Sequence, residues 1–197
     1  MIKKGDWGIA WLVTKVIQGL DALVLPGDPI PAEIVFTVPA KDDYGKRSYV
    51  RYTSGEESGE RYVVFVVGIA AYLEKQTQGK DTKKHLALIK GLGADDFATL
   101  PVFTMEELIV AIASHEIRHR LQDQKPALRM FSPTNVSSWS PELRPLGEAF
   151  KTAFAKGFLG GDVQSEFDAK IVEYLAGLAA RLGKNPEEIA AVIKIEP

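Results

Sequence analysis

The segment that most restricts the fold of this chain runs from Thr104 to Asp123. Thr104 and Glu107 have the separation of a reciprocal capping box, which predicts a helix over 105–123. Leu108 to Ala113 is apolar on nearly every side, so other elements must surround the middle of this helix. The character then changes abruptly to Ser114-His115-Glu116-Ile117-Arg118-His119-Arg120. Ionisable groups that follow a buried run need dedicated partners, because an unpaired buried charge is costly.

Histidines four residues apart on a helix are separated by about 40° around it and one turn along its axis. Their imidazoles can converge on one ion, and zinc accepts neutral imidazole at about 2.0–2.1 Å. Glu116 lies about 100° from His115, beside such an ion without being forced to bind it. There its carboxylate can take a proton from water as general base. Zinc would lower the pKa of that water toward about 7 and polarise a carbonyl. Of the chain's three histidines, two fall in this pattern, which weighs against the competing reading of a solvated helix end with incidental histidines. The chain has no cysteine, so disulfides and thiolate ligands are excluded and any metal must be held by histidine, carboxylate or water.

His115, Glu116 and His119 resemble the active-site helix of the zincin metallopeptidases. The resemblance implies a zinc-dependent hydrolase that cleaves peptide bonds in a peptide or protein substrate, with Glu116 catalytic. A metzincin would carry glycine at 122 and histidine at 125, where this chain has Gln122 and Lys125. The chain is instead similar to the gluzincins, whose third ligand is a glutamate on a later helix. Ser165-Glu166-Phe167-Asp168-Ala169-Lys170 is similar to the gluzincin pattern Glu-x-x-x-Asp, which implies His115, His119 and Glu166 as the metal ligands. Lys170 stands where that family has an aspartate that orients a motif histidine, leaving the role to Asp168 or Glu173. A helical wheel with Phe167 at its origin groups Ile171, Leu175, Leu178 and Leu182 on one side. Glu166, Lys170 and Glu173 lie on the opposite flank and Asp168 on the other edge of the stripe. Either flank can face the metal, so Asp168 is an alternative ligand. The resemblance covers the two helices and their order. It implies an α+β, zincin-like fold with a small twisted sheet, then the active-site helix, then the ligand helix. An edge strand of such a sheet pairs with an extended substrate. The altered position at Lys170 favours a second reading, a non-catalytic zincin-like protein that binds metal or a partner.

The remaining expectations are structural. A helix over 6–24 is predicted from Asp6 as N-cap and the spacing of Ile9, Leu12, Val13, Val16, Leu20 and Leu23, with Trp7 and Trp11 as core residues. Strands are predicted at Glu33–Val38, Arg47–Thr53 and Glu60–Val67, the last internal, with a hairpin loop at Ser54–Gly59. Ala70–Lys75 and Lys83–Lys90 read as short helices, and His85 as a surface or packing residue. Residues 124–145 read as a long loop, a possible lid anchored by Phe131 and Trp139. Helices follow at Leu146–Phe158, at 163–183 with Asp162 as N-cap, and from Asn185, where Pro186 and Glu188 mark a start. Tyr174 reads as a core residue that could alternatively donate to an oxyanion. Arg118 and Arg129 are alternative electrophiles, with Arg118 expected in a surface ion pair of little worth.

The whole chain reads as one domain, 1–197, with a helix-and-sheet portion over 1–103 and a metal-binding helical portion over 104–197. A net charge of −2 and scattered basic residues predict no general affinity for nucleic acid or anionic membranes. Asp6, Lys15 and Asp21 interrupt the first apolar stretch, so neither a secretory signal nor a membrane span is expected. The absence of cysteine fits a cytoplasmic protein.

Overall fold

In a computed structural model, which describes residues 4–41, 47–56, 59–77, 103–154 and 163–197, the chain is mixed α+β. The described elements, in order, are α1 (Lys4–Val24), β1 (Ala32–Val35), β2 (Val50–Thr53), β3 (Arg61–Phe65), α2 (Ile69–Thr77), α3 (Met105–Gln124), a 3-10 turn (Val136–Ser138), α4 (Arg144–Phe154), α5 (Val163–Arg181) and α6 (Pro186–Ile193). The strands form one sheet of order β1-β3-β2, with β1 parallel and β2 antiparallel to β3. β3 is central and buries Tyr62, Val63 and Val64, as its apolar run predicts. All three strands are shorter than their β-forming stretches. The β1 ladder ends where Val35 meets Phe65, and Phe36 and Val38 lie beyond it, exposed. The predicted helix at 83–90, His85 and Asp162 lie outside the described residues.

α3 is surrounded. It packs against α1, α2, α5, α6 and β2. Ser114, His115, Glu116, Ile117, Arg118, Arg120 and Leu121 are all buried, so the polar turn of this helix is as enclosed as its apolar turn. The capping box at Thr104 and Glu107 forms as expected, and so does that at Asn185 and Glu188. Arg120 ties α3 to α1 through the Asp21 carboxylate, which also accepts from the Tyr62 hydroxyl at 2.5 Å. That hydroxyl is therefore held protonated, first by burial and then by Asp21.

α1 corrects two expectations. Its inner stripe is Ala10, Val13, Ile17, Leu20 and Val24, and the next position toward the N-terminus is Asp6 rather than Trp7. Asp6 is buried and is no N-cap of its own helix. Its carboxylate accepts from the Ala70 N–H at 3.0 Å, in the first turn of α2. Trp7 and Trp11 are turned about 100° off the stripe, at 43% and 52% exposure, and so lie outside the core. Trp7 stacks on Phe36 with centroids 5.2 Å apart, and the Lys15 ammonium lies over Trp11. By length and composition Gly5–Val24 could also cross a membrane, and its inner stripe belongs to the core of this fold.

The segment after α3 is an irregular run broken by the 3-10 turn, and α4 begins at Arg144 rather than Leu146. Phe131 and Trp139 anchor it as expected. Their rings meet edge-on at 4.7 Å, and Trp139 continues onto Phe167 of α5. Gly147 lets α4 approach: a Cβ there would lie 2.7 Å from Trp139 Cε3 and from Val136 Cγ1. Gly147→Ala is therefore expected to cost about 1–3 kcal/mol by overpacking. Chemical denaturation followed by tryptophan fluorescence measures that loss.

Candidate metal centre

The site forms where α3 packs along α5. Among the described residues, His115, His119 and Glu166 are the group that could hold a metal ion, their ligand atoms lying within 4.8 Å of one another. The Nε2 atoms of His115 and His119 are 3.1 Å apart. Glu166 places Oε1 3.4 Å from His119 Nε2 and Oε2 3.6 Å from His115 Nε2. The helical spacing of the histidines makes this convergence, and the position of Glu166 in the first turn of α5 completes it.

Asp168, the alternative ligand, is placed elsewhere. It is fully buried on the other flank of α5, where Arg118 donates from Nε at 2.5 Å and from Nη2 at 2.8 Å. The Phe131 N–H donates to the same carboxylate at 2.8 Å, and Arg118 Nη1 donates to the Ile193 carbonyl of α6 at 2.8 Å. Arg118 is thus a buried tie between three elements rather than a surface ion pair, because α3 is enclosed on the side from which its side chain extends. Arg129 is exposed. Tyr174 is a core residue between Phe103 and Phe150, its ring centroids 6.0 and 5.8 Å from theirs.

Of the two acids Asp168 and Glu173, it is Glu173 that lies beside His115. Its Oε2 lies 2.9 Å from His115 Nδ1, although the ring N–H points off that line, and 2.5 Å from Lys170 Nζ. Burial works against a charge on Glu173, but Lys170 and His115 hold its carboxyl down to about 2. The sequence departure at 170 is therefore part of the same arrangement: the lysine neutralises the acid that faces His115. His119 has partners that the sequence reading missed. Its Nδ1 lies 2.9 Å from Gln122 Oε1 and 3.2 Å from Ser165 Oγ. The available signal was position, since Gln122 is one turn from His119 and Ser165 directly precedes Glu166.

Glu116 points toward the sheet. Its Oε2 accepts from the Tyr52 N–H of β2 at 2.6 Å. Burial raises its pKa above the ordinary carboxylate range, against the pull of His115, His119 and the Tyr52 N–H. The opposite holds at Glu166: burial is outweighed by the His119 contact and the nearby cations, and its carboxyl is held at about 2. The two acids of the centre are thus separated in proton affinity by their surroundings, one fit to take up a proton and one to stay charged.

His119 is the counterpart. Burial opposes its charge, but the Glu166 hydrogen bond, the Glu116 and Glu166 charges and the Gln122 contact raise its pKa to about 9 in the metal-free protein. A metal must displace that proton. Metal affinity is therefore expected to climb by about tenfold per pH unit as pH rises toward 9, one proton being released per ion. Competition titrations between pH 6 and pH 9 check the slope. Comparison of the chain with protein-family models, curated proteins and solved structures returns no match.

Proposed function

We propose that this chain is a zinc-dependent hydrolase of peptide bonds, with His115, His119 and Glu166 holding the ion and Glu116 acting as general base. The carrying observation is the convergence of three side chains whose ligand atoms all lie within 4.8 Å of one another. Four tetrahedral ligands at about 2.0–2.1 Å from zinc stand about 3.3–3.4 Å apart. Here the two Nε2 atoms are 3.1 Å apart, and the Glu166 carboxylate stands 3.4 Å from His119 Nε2 through Oε1 and 3.6 Å from His115 Nε2 through Oε2. Two imidazole nitrogens and one carboxylate oxygen are also a donor set that suits zinc and leaves a fourth position for water or substrate. When bound, zinc supplies Lewis acidity toward a carbonyl oxygen and lowers the pKa of an adjacent water.

The chain's own residues then divide the work. Glu116, buried and with raised proton affinity, takes the proton from the attacking water and can return it to the leaving amine. Gln122 keeps the His119 imidazole turned inward, and Glu173 places its charge beside His115 Nδ1. Among the described residues β2 is an edge strand beside α3, with its Tyr52 N–H held by Glu116, so an extended substrate would have to pair with the outward-facing groups of β2 that Glu116 leaves open.

Metal analysis of the purified chain, together with hydrolysis of a peptide library, tests the proposal. The expected result is about one zinc per chain and cleavage that a chelator abolishes and zinc restores. Zinc at full occupancy with no cleavage of any peptide would favour the second reading, a metal-binding protein without turnover. That reading draws on Tyr174, whose ring packs in the core between Phe103 and Phe150.

A further inference from the structure

We infer that Gln122 is a positioning residue that sets the tautomer of His119, and with it the nitrogen presented to the metal. This inference rests on the metal-site reading above, and it follows from a chain of donors and acceptors that begins far from the ion.

Among the described residues, every donor to Asp168 is an N–H. Arg118 contributes two, the Phe131 backbone one, and Gln122 Nε2 the fourth at 2.6 Å. The second hydrogen of the Gln122 amide goes to the Ser165 carbonyl at 3.1 Å. A backbone carbonyl accepts and cannot donate, and a carboxylate already held by the three N–H groups of Arg118 and Phe131 does the same. Both amide hydrogens are therefore committed, and flipping the amide would set its oxygen against two acceptors. Gln122 Oε1 is left facing His119 Nδ1 at 2.9 Å and the Ser165 hydroxyl, which donates to it at 2.5 Å.

An amide oxygen can only accept, so Nδ1 of His119 must carry the hydrogen. Nε2 is then the nitrogen with the lone pair once the ring is neutral, and Nε2 is the atom that faces His115 and Glu166. The Arg118–Asp168 pair thus reaches the metal position through one amide. His119 and Gln122 sit on α3, while Ser165 and Asp168 sit on α5, so the relay also fixes the register of the two helices at the centre.

Gln122→Met keeps the length and most of the volume of the side chain and removes both amide functions. Asp168 keeps its three other donors, so no buried carboxylate is orphaned. Zinc affinity of the full chain, measured by competition with a chromophoric chelator, is expected to fall by about 10–100-fold in this variant. Ser165→Ala, which leaves Gln122 in place, is expected to change affinity by no more than a few-fold. Equal affinity in wild type and Gln122→Met overturns the inference and leaves the metal site standing. Loss in Ser165→Ala as large as in Gln122→Met overturns it as well, because the serine would then be the orienting group. Absence of zinc binding in the wild type instead sinks the reading on which it rests. One measurement is independent of how the variants fold: the imidazole nitrogen spectrum of zinc-loaded wild type. A protected Nδ1–H on His119 is expected, and coordination through Nδ1 would refute the role given to Gln122.

Discussion

Replacing Glu116 by glutamine is expected to lower peptide hydrolysis by about 10²–10⁴-fold, the usual worth of a positioned general base, and to leave zinc in place. Glutamine has the same length and keeps an oxygen for the Tyr52 N–H, which Glu116 now accepts at 2.6 Å. It cannot take up a proton. The metal ligands are untouched, so a matched metal content in variant and wild type shows that the loss belongs to proton transfer. His119→Ala is expected to lose metal and activity together, because it removes one of the three side chains that converge on the ion. Full activity in the glutamine variant would refute the mechanism.

The second large effect is on stability. Arg118 and Asp168 are both fully buried and bonded to each other at 2.5 and 2.8 Å. Removing one partner leaves the other charge uncompensated, which costs about 3–5 kcal/mol. For a chain of this size that corresponds to a fall in Tm of roughly 6–20 °C. Arg118→Ala also releases the Ile193 carbonyl of α6, and Asp168→Ala releases the Phe131 N–H. The two variants should therefore fall by similar amounts in urea denaturation while loosening different elements. A change below about 1 kcal/mol in either, the scale of an exposed pair, would show that the pair is not enclosed in solution.

What was legible in the sequence was what local pattern encodes. The two capping boxes, the apolar run inside α3, the central placement of β3 and the pairing of His115 with His119 are all short-range signals. Glu166 became readable through its likeness to a known pattern, and the structure brings it to the two histidines. Arg118, Trp7 and Trp11 were misread for a common reason. Each is a question of which side of a helix is covered, and composition alone does not say whether a polar face meets water or a buried partner. The helical wheel of α5 offered two acidic flanks, and only the packing against α3 distinguishes Glu166 from Asp168. Trp7 shows the converse error: large aromatics suggest a core, but the inner stripe of α1 passes through Asp6 instead.

The hydrogen bond from Tyr52 to Glu116 has a consequence unrelated to chemistry at the metal. β2 is a border of the sheet, and a bare strand border recruits strands from other molecules. The carboxylate of α3 occupies one of the outward-facing N–H groups through which such recruitment would begin. Helix and strand are joined at the very residue that the proposed reaction needs. A chain that lost this carboxylate without a replacement acceptor would therefore also lose a guard against self-association, which is a reason to choose glutamine over alanine when the site is silenced.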